Sequence, residues 1–217
     1  MKTLFLDTAS NENLLALCDE KKTLVIKSLK KMGDAELIPA IEDVLKEVGW
    51  EYKDLTNLAC AIGPGGFTSL RVGVTAINTL AYSLDIPSAG MHLSDLWAKR
   101  VQRNCHPERA LNPSEASGEG RVEGFLWLHS TRKTSLFVRG FGTDGTITPT
   151  GLLEMDEAVA LQGPYVGELI PEHKEALTRC EPLEEGKIES LDEMLPKYLS
   201  ELKYQKQQLV PWYGREG

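Results

Sequence analysis

Short apolar runs separated by polar clusters open the chain. Leu4–Asp7, Leu14–Cys18 and Thr23–Leu29 are joined by Ser10-Asn11-Glu12-Asn13 and by Asp19–Lys22. Connections this short predict an antiparallel meander, because a parallel pair needs a long crossover. The period then changes. Asp34–Val48 carries Leu37, Ile38, Ile41, Val44, Leu45 and Val48 at helical spacing, predicting a helix that begins irregularly around Pro39 and stops at Gly49. Leu58–Ile62 predicts a strand, Gly63–Gly66 a breaker, Phe67–Leu84 a helix, Ile86–Met91 a strand and Leu93–Arg103 a helix. A meander followed by alternating helices and strands predicts a mixed sheet with helical crossovers.

Residues 104–122 carry Pro, Ser, Gly and Glu without an apolar period and predict a long, mobile surface loop. They divide the chain into a first lobe, 1–103, and a smaller α/β lobe, 123–217. In the latter, Gly124–His129 and Ser135–Phe141 predict paired strands, Met155–Gln162 a helix and Tyr165–Ile170 a strand. Ile188–Tyr204 predicts a terminal helix interrupted at Pro196.

Helix 67–84 is apolar on two sides. Leu70, Val74, Ile77, Ala81 and Leu84 form one stripe; Val72, Ala76 and Leu80, with the small residues Gly73, Thr79 and Ser83 nearby, form another. One stripe suffices to pack a helix on its sheet, so the second must meet another helix, in this chain or in a partner. The turn before it, Gly63-Pro64-Gly65-Gly66, has its own logic. Gly65 and Gly66 permit positive φ and close backbone approach, and Thr68 or Ser69 can cap the helix. Such a turn can hold an anion or serve as a tight structural turn. No Gly-Lys-Ser/Thr ending follows, and Thr68 stands where a dinucleotide fingerprint needs glycine. Asp7-Thr8, at the end of the first strand, can hold a metal–phosphate group or simply form a turn.

Composition narrows the classes. The 217 residues carry a net charge of -8, which argues against a surface that grips nucleic acid itself, although Lys21, Lys22, Lys27, Lys30 and Lys31 fall close together. No apolar run is long enough for a membrane helix, and the N-terminus is not signal-like. The four cysteines, Cys18, Cys60, Cys105 and Cys180, form no C-x-x-C pair, which fits a reduced, cytoplasmic protein. His92, His106, His129 and His173 include no i,i+3 or i,i+4 pair, so no helical two-histidine metal site is predicted. No G-x-S-x-G elbow or other catalytic constellation occurs, and a peptidase reading lacks a nucleophile–base pair.

LFLDTAS at 4–10, LIPAIEDVL at 37–45 and GPGGFTSLRVGVTAINTLA at 63–81 resemble the TsaB family, a partner subunit in threonylcarbamoyladenosine synthesis on tRNA. DEMLPKYL at 192–199 and VPWYGRE at 210–216 resemble its C-terminal elements. The resemblance implies an actin-like (ASKHA, ribonuclease H-like) α/β fold of two lobes, with mixed sheets flanked by helices. It implies a cytoplasmic, non-catalytic scaffold that binds and activates the catalytic paralogue TsaD, works with the ATPase TsaE, self-associates as a homodimer when alone, and meets tRNA only through the complex. The family's partner-binding helices place the interface on the face with Val72, Gly73, Ala76, Thr79, Leu80 and Ser83. No cofactor of its own is implied; ATP, ADP and metal belong to the complex interface or to the partners. The chain is not TsaD itself, since it has no H-x-x-x-H.

Several positions depart from the family. Ala9 stands where glycine is usual, Ser130-Thr131-Arg132 replaces Asp-Ala-Arg, and Gly33-Asp34 replaces His-Thr or His-Ser. Loss of the second-lobe carboxylate argues against independent ATP hydrolysis. The alternative is an actin-like ATPase or small-molecule kinase using Asp7 and the glycine turn of Gly63, Gly65, Gly66 and Thr68.

Overall fold

The computed structural model describes residues 1–29, 34–101, 110–111, 121–122 and 124–214. In chain order, β1 (Thr3–Asp7), β2 (Asn13–Cys18) and β3 (Thr23–Leu29) precede α1 (Asp34–Val48), β4 (Asn57–Gly63), α2 (Phe67–Leu84) and β5 (Ser88–His92). Then come α3 (Leu93–Arg100), β6 (Ala110–Leu111), β7 (Arg121–Val122), β8 (Gly124–Ser130), β9 (Ser135–Gly142) and β10 (Gly151–Glu154). The chain ends with α4 (Met155–Ala158), β11 (Gly163–Glu168), α5 (Pro171–Ala176), β12 (Cys180–Pro182) and α6 (Leu191–Glu201).

One compact unit comprises, among the described residues, Met1–Leu93 together with Ser190–Gly214. Its sheet runs β3-β2-β1-β4-β5, antiparallel across the meander and parallel from β1 to β4 to β5. Both β1 and β4 are interior strands, and their LFL and LACA runs are buried without alternation, as strands covered on both faces require. Leu37, Ile41, Val44 and Leu45 of α1 pack with Val74 and Ile77 of α2 into the core around Leu4, Leu6, Leu15, Leu17 and Leu58.

Helix α6 is continuous through Pro196, where the sequence pattern predicts an interruption. Proline has no N–H to offer the carbonyl four residues earlier, that of Asp192. The Thr23 hydroxyl donates to that carbonyl instead, at 2.7 Å. The carbonyl that Pro196 leaves without its helical donor is therefore satisfied by a residue 169 positions away in sequence.

The second unit, Ser94–Glu189, repeats the topology: β10-β9-β8-β11-β12, three strands antiparallel and two parallel. Leu126, Leu128, Leu136, Val138, Ala158, Leu161, Tyr165, Leu169 and Leu177 form its core. The predicted α/β fold of two lobes with mixed sheets flanked by helices is thus present, and the recurrence of one strand order is its actin-like feature.

Boundaries differ from the periodicity in places. Residues 190–214 group with the first unit, not the second, because Gln205 pairs with Ser88 and Leu209 enters the first core. The helix predicted over 155–162 covers only Met155–Ala158, and the strand predicted over 165–170 runs from Gly163 to Glu168. The four-residue edge strand β10, the three-residue β12 and the six-residue α5 are too short for a periodic signal. Most of 104–122 lies outside the described residues, as do Gly33, Cys105 and His106. Within that stretch, Ala110–Leu111 pairs antiparallel with Arg121–Val122.

Candidate partner-binding face and glycine turn

The glycine turn is a packing node. Positive φ occurs at Gly63, at 129°, and not at Gly65 or Gly66, where the sequence suggested it. A Cβ on Gly63 would stand 2.2 Å from the Trp212 carbonyl oxygen, and one on Gly65 would stand 2.6 Å from that of Ala9. Glycine is therefore required at both positions because backbone comes too close for a side chain. Around Gly66 there is open space beyond Ser69. Gly66 itself is the N-cap of α2, with no side-chain cap, so Thr68 and Ser69 do not cap the helix and are exposed. Chain backbone abuts two of the three glycines of the turn, leaving less of it for an anion.

On α2 the first stripe is internal as predicted: Leu70, Val74 and Ile77 are buried. The second is not a free apolar face. Val72, Ala76 and Leu80 are half-buried against the same core. Gly73 is buried, and a Cβ there would stand 2.1 Å from the Thr8 Oγ1. It serves packing against the β1–β2 turn and is not an outward-facing interface residue. Thr79 and Ser83 are exposed. The solvent face runs instead through Thr68, Arg71, Thr75, Thr79 and Tyr82, with Tyr82 at 90% exposure. This face is polar and small with one large ring, a pattern that an apolar count along the helix does not register.

The segment after α6 lies along that face. The Asn78 amide donates to the Leu209 carbonyl and accepts from the Leu209 N–H, both at 2.9 Å, as a strand neighbour would. Lys206 pairs with Asp85 at 2.8 Å. Between these anchors a groove of about 530 Å³ opens, lined by Thr75, Thr79 and Tyr82 on α2 and by Gln205–Gln208 opposite. Further on, the Trp212 N–H donates to the Ile62 carbonyl at 2.7 Å and the indole sits edge-on to His92. Tyr213 lies 5.0 Å from Phe67, which in turn carries the Arg71 guanidinium at 5.3 Å.

Asp7 is consumed by its own turn. Its Oδ1 accepts from the N–H groups of Ala9 and Ser10 at 2.8 and 3.1 Å, and its Oδ2 accepts from the Ser10 hydroxyl at 2.5 Å. Burial raises its pKa above the ordinary carboxylate value, and these hydrogen bonds oppose the shift. Thr8 is buried, and its hydroxyl finds no hydrogen-bond partner among the described residues.

The equivalent strand end in the second unit, Ser130 on β8, holds something the sequence did not disclose. Ser130 Oγ lies 2.7 Å from His173 Nδ1, and His173 Nε2 lies 2.9 Å from the Lys133 carbonyl. A carbonyl only accepts, so in the neutral ring Nε2 carries the proton and Nδ1 accepts from Ser130. Ser130 Oγ also accepts from the Ile170 N–H at 3.2 Å. This is a serine–histidine pair, but both residues are buried and the third partner is a backbone carbonyl. Its chemistry is that of a tie between α5 and the β8–β9 turn. Forty-three residues separate the pair, and no motif links them.

Other reactive groups are subdued. Burial pushes the Cys18 and Cys180 thiols up to about 11, away from the thiolate form. Among the described residues no group of three or more His, Cys, Asp and Glu side chains could hold a metal ion, and no helix is long and apolar enough to cross a membrane.

Comparison with known proteins adds relatives. A family model described as "TsaD: tRNA N6-adenosine threonylcarbamoyltransferase" matches residues 32–119. The "tRNA threonylcarbamoyladenosine biosynthesis protein TsaB" of Bacillus subtilis is 37% identical over 131 residues, covering 59% of this chain and 56% of the relative. The Escherichia coli protein of the same name is 25% identical over 150 residues, covering 69% and 63%. The chain thus spans less than two thirds of the length of either relative. A crystal structure from Pseudomonas aeruginosa, described as an uncharacterized protein with similarity to peptidase YeaZ, superposes with a TM-score of 0.67 at 19% identity, covering 99% of both chains. A second, titled YeaZ from Pseudomonas aeruginosa, gives 0.63 at 17%, covering 97% of this chain and 99% of the other. At these identities the structures speak for the fold.

Proposed function

We propose that the chain, which is similar to the TsaB proteins of Bacillus subtilis and Escherichia coli, is a non-catalytic subunit of the machinery that forms threonylcarbamoyladenosine on tRNA. In this reading it acts in the cytoplasm, binds and activates a TsaD-type catalytic paralogue through the outer face of α2, works with a TsaE-type ATPase and meets tRNA only in the complex. It self-associates when the partner is absent. ATP, ADP and metal are held by the partners or at the shared interface.

The observation that carries the reading is the state of α2. One side is locked into the core, while Thr75, Thr79 and Tyr82 present a solvent face with a groove beside it. The engagement of both Asp7 oxygens by Ala9 and Ser10 supports the absence of catalysis of its own. The test is capture of the TsaD-type paralogue by the purified chain, followed by threonylcarbamoylation of tRNA with and without it. Thr79→Arg places a long cation on the exposed face and is expected to abolish capture and stimulation while leaving unfolding unchanged. Undiminished capture by that variant rejects the α2 interface. Robust ATP hydrolysis by the chain alone, lost in Asp7→Asn, rejects the non-catalytic reading.

A further inference from the structure

We infer that the segment following α6 is a latch: its outer end, Trp212–Tyr213, holds the glycine turn and the first turn of α2 in the pose the docking face requires. The proposal rests on the α2 interface proposed above. Two sets of anchors separate along this segment. The inner set consists of the Ser88–Gln205 backbone pair, the Asn78 amide on the Leu209 backbone, and the Leu209 side chain in the core. The outer set includes a backbone hydrogen bond, Trp212 N–H to the Ile62 carbonyl, and the ring contacts of Trp212 on His92 and Tyr213 on Phe67. Val210, between the sets, is 72% exposed. The outer end can therefore leave without disturbing the inner anchors.

What it holds is fixed on its inner side by buried Leu70 and by the Ala9 backbone against Gly65, and on its outer side by this segment. Helix α2 has no side-chain cap, and its first internal hydrogen bond is Leu70 N–H to the Gly66 carbonyl. Phe67, its first residue, is 60% exposed and rests on Tyr213. At the start of the turn, Gly63 is shaped to the Trp212 carbonyl, which no side chain could approach as closely. A helix start without a cap frays unless tertiary contacts supply what the cap would. On the outer side of the turn those contacts come from Trp212 and Tyr213, so the register of Arg71, Thr75 and Thr79 toward a partner follows their seating. Latch-open and latch-closed chains then differ in docking while sharing one core.

Hydrogen exchange on the full chain tests this, with the Tyr213→Ala and Trp212→Ala variants beside the parent. Exchange at Leu70–Gly73 is expected to rise at least tenfold in both variants, with α1 and α6 unchanged, and capture of the TsaD-type paralogue is expected to fall in parallel. Tyr213→Phe keeps the ring and should restore both readouts. Unchanged exchange at Leu70–Gly73 in both variants overturns the latch. Tyr213 is partly exposed, so its removal does not threaten the core should Trp212→Ala misfold. Failure of the parent chain to capture the paralogue rejects the proposed function instead, and the exchange comparison still decides the latch.

Discussion

Gly73 offers a direct measurement of which way the second side of α2 faces. Replacing a helical glycine by alanine at an unobstructed site adds about 1 kcal/mol of stability through propensity. At Gly73 the added Cβ would meet Thr8 Oγ1 at 2.1 Å and Thr8 Cγ2 at 3.0 Å. Thr8 is buried and β-branched, with a stiff χ1, so it does not swing away freely. Overpacking of this kind costs about 1–3 kcal/mol. The expected net for Gly73→Ala is a loss of about 0–2 kcal/mol. Thr8→Ala removes the two nearest atoms and leaves Thr8 Cβ, at 3.1 Å, as the remaining neighbour. Alone it should stabilise by about 0–2 kcal/mol, because the lost methyl contact of about 0.8 kcal/mol is outweighed by removing a buried hydroxyl without a partner among the described residues, worth about 1–3 kcal/mol. Combined with Gly73→Ala, it lets the propensity gain emerge. The double mutant should exceed Thr8→Ala by about 1 kcal/mol, giving a coupling of about 1–3 kcal/mol between the two sites. Urea unfolding followed by circular dichroism reads all four proteins, and thermal midpoints should move by about 2–4 °C per kcal/mol. If Gly73→Ala alone stabilises by about 1 kcal/mol, or if the coupling is zero, the internal contact is refuted and the residue returns to the outer face.

Two further variants address the strand ends. Burial raises the Asp7 pKa, so the folded state favours the protonated carboxyl relative to the unfolded chain. That contribution is complete below the unfolded value near 3.8 and is lost as pH rises through the folded value. Asp7→Asn should therefore lie within about 1 kcal/mol of the parent at neutral pH, and the parent should gain on it at mildly acidic pH; urea unfolding of both proteins showing the opposite trend refutes the burial argument. Ser130→Ala strips the partner from His173 Nδ1 and from the Ile170 N–H, and should cost about 1–3 kcal/mol in the same assay. No loss of stability there would show that the tie contributes nothing.

Much of the fold was legible along the chain, for an identifiable reason. The meander, α1, β4 and α2 are long or strongly patterned, and burial on one side or two writes itself into residue spacing. The first stripe of α2 was read correctly because Leu70, Val74 and Ile77 recur at helical intervals. Short edge elements such as β10 and α5 lack enough residues to show a period. The carbonyl freed by Pro196 in α6 is met by a hydroxyl from β3 that no local rule could supply.

The site divides along the same line. By itself the sequence determined that a glycine-rich turn joins a buried strand to a two-sided helix. Which glycine takes positive φ, which backbone each one accommodates, and which side of α2 remains in water were decided only by the tertiary structure. Those outcomes hang on Ala9, Thr8 and Trp212, distant in sequence and brought to the turn by packing. At Gly63, Gly65 and Gly73 glycine marks a close approach. Only the folded chain says by what.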